Sequence, residues 1–177
     1  MFKYLFVALV GLYSCASHSA ENDIGIAHDS TLPVAVYDTI GIDSLESEYA
    51  DYYVVIADSG KDYSALRERM IRLKDKFRLE IDTMGRRYNP EKNLIALPED
   101  DEDEMYAGDY FPRRFPSETL SLEYLTSYDP GAGEKTIAIV RGIYEQEKSA
   151  DGHLTVLRNA GEKAYKLKAR IYLGCMH

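Results

Sequence analysis

The sequence predicts an α+β domain of the split βαβ type, a four-stranded antiparallel sheet with two helices on one face. A strand, helix, strand succession occurs twice, about 85 residues apart, which reads as a weak internal duplication. Each helix carries its apolar residues on a single stripe, so each has only one surface to bury.

The elements follow in chain order. Met1 to Ser19 reads as a signal sequence, with Lys3 as the positive start and Leu5 to Leu12 as an apolar run too short to span a membrane. Two exits from it stay open. Residues 12–15 (Leu-Tyr-Ser-Cys) resemble the bacterial lipobox, which makes Cys15 a lipidation candidate, although Tyr13 is bulky for its place; cleavage after Ser19 would instead release a soluble protein. We take lipidation as the first reading. Residues 20–48 read as a tether, and the folded domain as 49–177.

Tyr52 to Ala57 is a β-branched and aromatic run closed by Asp58-Ser59-Gly60, hence a strand and a turn. Asp62 is placed to cap a helix whose Leu66, Met70, Leu73 and Phe77 recur at helical spacing. Leu79, Ile81 and Thr83 then alternate with charged residues, as in a half-buried strand, and Leu94 to Leu97 forms a second short run after a turn at Tyr88-Asn89-Pro90. Glu99 to Glu104 is an unbroken acidic run and reads as a solvated loop. An insertion is expected at about 98–134, with a further strand at the alternating Leu120, Leu122 and Tyr124. Thr136 to Val140 is a strand ending in a turn near Gly142; Ala150, Leu154 and Leu157 mark a second helix capped by Gly161, and Tyr165 to Tyr172 is the last strand.

A length of 177 residues, 45% of them hydrophobic, suits one folded domain with a leader. The net charge of −9 repels phosphate backbones and anionic lipid, so no nucleic-acid partner is expected, and a membrane is reached only through a lipid anchor. Cys175 has no second cysteine in the folded part, so no internal disulfide staples it.

If the helices cover one face of the sheet, the other is open. On the last strand, Tyr165, Leu167, Ala169 and Ile171 are expected to face the helices, leaving Lys166, Lys168, Arg170 and Tyr172 on the open face. Tyr53, Arg141 and Tyr144 are expected to reach the same surface. Flat rings with cationic neighbours are of the kind that stack on sugars. Two plainer accounts stand beside that one: lysines that protect an edge strand from aggregation, and ordinary half-buried sheet tyrosines.

Ile139-Val140-Arg141-Gly142-Ile143-Tyr144, followed by Ala150, Leu154, Leu157 and Arg158, resembles the SPOR (sporulation-related repeat) family, as does Tyr53 to Ala57 with the helix after Asp62. The likeness covers about 70 residues in two pieces. Arg141 stands where the family has an apolar residue. The resemblance implies a ferredoxin-like fold and a non-catalytic periplasmic or cell-envelope module that binds peptidoglycan glycan strands. It makes Tyr53, Arg141, Tyr144, Lys168 and Tyr172 the glycan-binding candidates. An envelope protein partner on the same sheet face is the alternative.

Catalytic and metal motifs fail on inspection. Gly131 to Thr136 looks like a phosphate loop, but Glu134 separates Gly133 from Lys135 and a strand follows. His18, His28, His153 and His177 have no ligand spacing, and the acidic run lacks the glycine of a calcium loop. Neither a metal nor a cofactor is expected, and no carboxylate pair stands out for glycoside hydrolysis.

Overall fold

The computed structural model describes residues 48–174. The leader, Cys15, the tether up to residue 47, Cys175 and His177 lie outside the described residues. Among the described residues, six strands and two α-helices form: β1 (Tyr49–Gly60), α1 (Tyr63–Phe77), β2 (Arg87–Asn89), β3 (Leu94–Ala96), β4 (Ser121–Tyr124), β5 (Ile137–Tyr144), α2 (Glu147–Asn159) and β6 (Tyr165–Tyr172). The main sheet has the order β4-β5-β1-β6 with every pairing antiparallel, while β2 and β3 form a separate hairpin. This is the expected α+β, split βαβ architecture with two helices.

The helix ends are fixed by local chemistry. The Asp62 carboxylate accepts the Ala65 N–H at 3.0 Å and caps α1. α2 ends at Gly161, whose φ of +84° is the left-handed value that glycine adopts without strain. There the Gly161 N–H reaches the Arg158 carbonyl at 3.0 Å and the Glu162 N–H reaches that of Leu157 at 3.1 Å, the paired bonds of a Schellman end.

Both helices bury into one cluster. Leu66, Met70 and Leu73 of α1 and Ala150, Leu154 and Leu157 of α2 pack with Val55, Ala57, Ile137, Ile139, Leu122 and Tyr124 of the sheet. The opposite face is not open, as the sequence led us to expect. Val54, Ile56, Ala138, Val140, Ile143, Ala169 and Ile171 form a second buried cluster there with Leu125, Tyr128 and the half-buried Ala132 of the β4–β5 connection.

Three expectations are corrected by this arrangement. The second strand of the split motif is β4 rather than Leu79 to Thr83, of which only Ile81 bridges to Leu120. The segment expected as an insertion at about 98–134 therefore contains a strand of the sheet. β5 also runs on through Gly142 to Tyr144 where a turn was expected.

The crossing from α1 to β4 is clamped by one buried ion pair. Glu123 of β4 accepts two bonds from Arg86, at 2.7 and 2.8 Å, one from the Ser121 hydroxyl at 2.7 Å and one from the Tyr110 hydroxyl at 2.8 Å. Arg86 also donates to the carbonyls of Thr83 and Phe111. Burial alone would raise the Glu123 pKa, but the Arg86 and Ser121 bonds hold it below the ordinary carboxylate value.

Three measurements test this packing. Leu157→Ala should cost about 2–5 kcal/mol in chemical denaturation, since Leu157 is fully enclosed. Arg86→Met should cost about 3–5 kcal/mol by leaving Glu123 buried and unpaired, while the Arg86→Met, Glu123→Leu double variant should recover most of that loss. Because the folded pKa of Glu123 lies below its unfolded value, its contribution is present above the unfolded pKa and is lost as pH falls through the folded one. An acid unfolding midpoint no different between wild type and the double variant would remove Glu123 as the acid-sensitive group.

Candidate functional site

β6 pairs along its whole length with the first eight residues of β1, Tyr49 opposite Tyr172, Asp51 opposite Arg170 and Tyr53 opposite Lys168. Strand alternation puts these six residues on one face. That face is the helix side. Lys166, in the same row of β6, bonds Glu147 at 2.8 Å and Asp151 at 2.5 Å on α2, and Tyr53 packs on the helix-side cluster. The expected facing of β6 is therefore inverted, with Leu167, Ala169 and Ile171 turned to the second cluster. The physical reason is that both faces are covered. The β4–β5 connection supplies an apolar roof on the far side, while β6, an edge strand, carries its helix-side row at the rim of the helical layer.

The rim row is a chain of rings and cations. Tyr49 and Tyr172 have ring centroids 5.1 Å apart and are 41% and 37% exposed. Arg170 lies 5.2 Å from the Tyr49 centroid, Arg114 lies 5.4 Å from that of Tyr172, and Lys166 lies 5.4 Å from that of Tyr53. Lys168 pairs with Asp51 at 2.7 Å, and this bond and charge hold the Asp51 carboxyl below its usual pKa.

Arg141 and Tyr144 sit beside this row but are buried. Tyr144 pairs with Tyr53 across β5 and β1, so the structure joins all five sequence-predicted residues along one face. Gly142 lies opposite Val55 and Val140 opposite Ile56, which leaves Arg141 as the extra residue of a bulge and lets it share a side with Tyr144. Arg141 donates to the Glu118 carbonyl at 2.6 Å and the Tyr144 hydroxyl at 3.3 Å, and its other nitrogen meets His153 Nδ1 at 3.1 Å. A guanidinium has no acceptor, so His153 Nδ1 accepts and the ring proton sits on Nε2, 3.4 Å from the Glu118 carboxylate. The His153 ring stacks on Tyr144 at 4.9 Å. Burial pushes the Tyr144 hydroxyl up to about 12, so it acts as a hydrogen-bonding group and not as a base.

Of the five candidates, Tyr53, Lys168 and Tyr172 face outward to differing degrees, while Arg141 and Tyr144 orient their neighbours. Tyr49, Asp51 and Arg114 were missed, while Lys166 was placed in the β6 row but not among the five candidates. Extending the alternation of β1 back from Tyr53 would have found Tyr49 and Asp51; nothing local marks Arg114, which arrives from a loop. The chain matches no protein-family model, no curated protein and no solved structure.

Gly142 is the sensitive point. A Cβ there would lie 2.5 Å from the Tyr144 hydroxyl oxygen and 2.9 Å from the Ser117 carbonyl oxygen. Gly142→Ala should therefore cost about 1–3 kcal/mol and shift the His153 ring proton resonances as Tyr144 is displaced. Unchanged His153 resonances would show that the ring pair does not depend on the bulge.

Proposed function

We propose that the domain is a non-catalytic module of the bacterial cell envelope that binds peptidoglycan glycan strands along the β1–β6 rim. The observation that carries this reading is the row of Tyr49, Tyr53 and Tyr172 interleaved with Lys168 and Arg170 on paired strands. Sugar rings offer C–H faces to tyrosines and hydroxyls to cations, and an extended ribbon suits an extended polymer. The likeness to the SPOR motif points the same way. Glu123, the buried carboxylate among the described residues, is fully committed to Arg86, Ser121 and Tyr110, which leaves it no proton-transfer role.

No helix among the described residues is long and apolar enough to cross a membrane. Placement in the periplasm or envelope, and anchoring through a lipidated Cys15, belong to the same proposal. A protein partner on this face is the second reading, favoured by Phe115 and Met105, which are 59% and 77% exposed, and by Arg114, which links the Tyr106 and Tyr172 rings.

Purified mature protein should sediment with isolated sacculi, and more strongly after an amidase has removed the stem peptides. Each rim contact contributes only about 1 kcal/mol net, so Tyr53→Ala, Lys168→Ala and Tyr172→Ala together should weaken binding roughly 100-fold with unchanged circular dichroism. Equal retention on treated and untreated sacculi, or none on either, would remove the glycan reading. Binding that survives digestion of the glycan would favour the protein partner.

A further inference from the structure

A second cleft lies away from the rim, between α1, the β2–β3 hairpin and the outer edge of β4. Its inner part is a pocket of about 120 Å³ walled chiefly by Met70, Ile71, Ile81, Ile95 and Leu122. Its outer part, of about 520 Å³, is lined by Tyr63, Arg67, Arg87 and Tyr88 among others. The two adjoin, with Tyr63, Arg67, Thr83 and Arg86 lining both.

The chemistry of its two ends differs. An apolar cavity of roughly 150 Å³ holds a benzene ring, so the inner pocket, at about 120 Å³, takes a branched aliphatic group or most of a ring whose edge reaches toward the mouth. At the mouth, Tyr63 and Tyr88 stack with centroids 4.2 Å apart and planes 9° from parallel, which gives the opening a stiff wall. Arg86 is neutralised by Glu123. Arg67 and Arg87 are both exposed, and neither has an acidic partner among the described residues, whereas Arg69, Lys76, Lys92, Lys166 and Lys168 are all paired. Arg67 and Arg87 thus place two guanidinium groups, without acidic partners among the described residues, on the wall of the outer part, where their N–H groups can donate to an anion.

We propose that this cleft binds a small amphipathic carboxylate, its ring or branched apolar group in the Met70–Leu122 pocket and its carboxylate between Arg67 and Arg87. Guanidinium groups match a carboxylate by paired N–H donors, and the apolar end gains by leaving water. The site is independent of the glycan reading, since it shares no residue with the rim.

Titration calorimetry of the full chain with 3-phenylpropionate tests it, with 3-phenylpropionamide as the uncharged counterpart. The acid should bind with a Kd of roughly millimolar or better, and binding should weaken as ionic strength rises. The amide should bind about fivefold or more weakly, and Arg67→Gln with Arg87→Gln should reduce the acid's affinity to that of the amide. Both arginines are exposed and unpaired, so that variant should keep the wild-type melting temperature. Ile95→Trp, which fills the pocket, should abolish binding of both compounds. Equal affinity for acid and amide, insensitivity to the double arginine variant, or no heat from either compound with the full chain would each overturn the proposal.

Discussion

The long crossing between α1 and β4 depends on one buried carboxylate. Glu123 lies on the face of the sheet away from the helices, opposite Ala138 of β5, where an unpaired charge would be costly. Its donors come from three places in the chain: Arg86 just before β2, Tyr110 in the loop after β3, and Ser121 within β4 itself. Satisfying the charge therefore requires that the crossing fold back over the β4 edge. The second layer of bonds follows from the first. Tyr110, having donated to Glu123, accepts the Tyr124 N–H at 3.1 Å, and the Tyr124 hydroxyl accepts the Ile95 N–H at 2.9 Å, which docks the β2–β3 hairpin. Arg113 closes the same region, bonding Ser117 and Thr119, although its Nε and Nη2 have no hydrogen-bond partner among the described residues. Whether the pair stabilises more than an apolar substitute is a separate matter from the register it imposes.

The sheet face that this clamp covers decides where a site is available. With the far face roofed by Leu125, Tyr128 and Ala132, the apolar row of β6 has a place to bury there, and its polar row is left beside the helices. α2 bonds that row at Lys166, through Glu147 and Asp151, and Lys168, Arg170 and Tyr172 follow further along β6. The exposed rim is thus a consequence of coverage on both sides, and not of an uncovered sheet.

Much of the frame could be read from local pattern. Asp62, the step of Leu66, Met70 and Leu73, the Ala150, Leu154 and Leu157 stripe and Gly161 each act where periodicity and capping chemistry place them. The failures are all long-range. Leu79 to Thr83 alternates as a strand does, yet β4 occupies the edge position beside β5, because Glu123 holds it there and the bridge at Ile81 is confined to Leu120. Alternation in β6 separated its two rows correctly but carried no information on which face each meets, since that depends on a roof contributed by residues about 40 positions earlier in the chain. The candidate residues fared similarly. Tyr53, Lys168 and Tyr172 share a face by register, whereas the placement of Arg141 follows from its being the extra residue of a bulge in β5, which no single-strand pattern reveals.

The contacts within the rim also bear on how it would engage a polymer. Arg170 over Tyr49 and Lys166 over Tyr53 already satisfy part of each ring's attraction for a cation, and Lys168 is already paired with Asp51. A ligand that replaced these contacts would gain only the difference, which is small in an exposed setting. A ligand that keeps them, stacking on the free edge or opposite face of a ring while accepting bonds from the remaining guanidinium and ammonium protons, adds its contacts to an arrangement whose side-chain entropy is already lost. Neutral hydroxylated rings meet that condition better than a dense anion, because an anion would draw the cations away from the tyrosines that they hold in place. The pre-formed pairs thus favour repeated weak contacts along a chain of hydroxylated rings with widely spaced charges over one strong ionic contact.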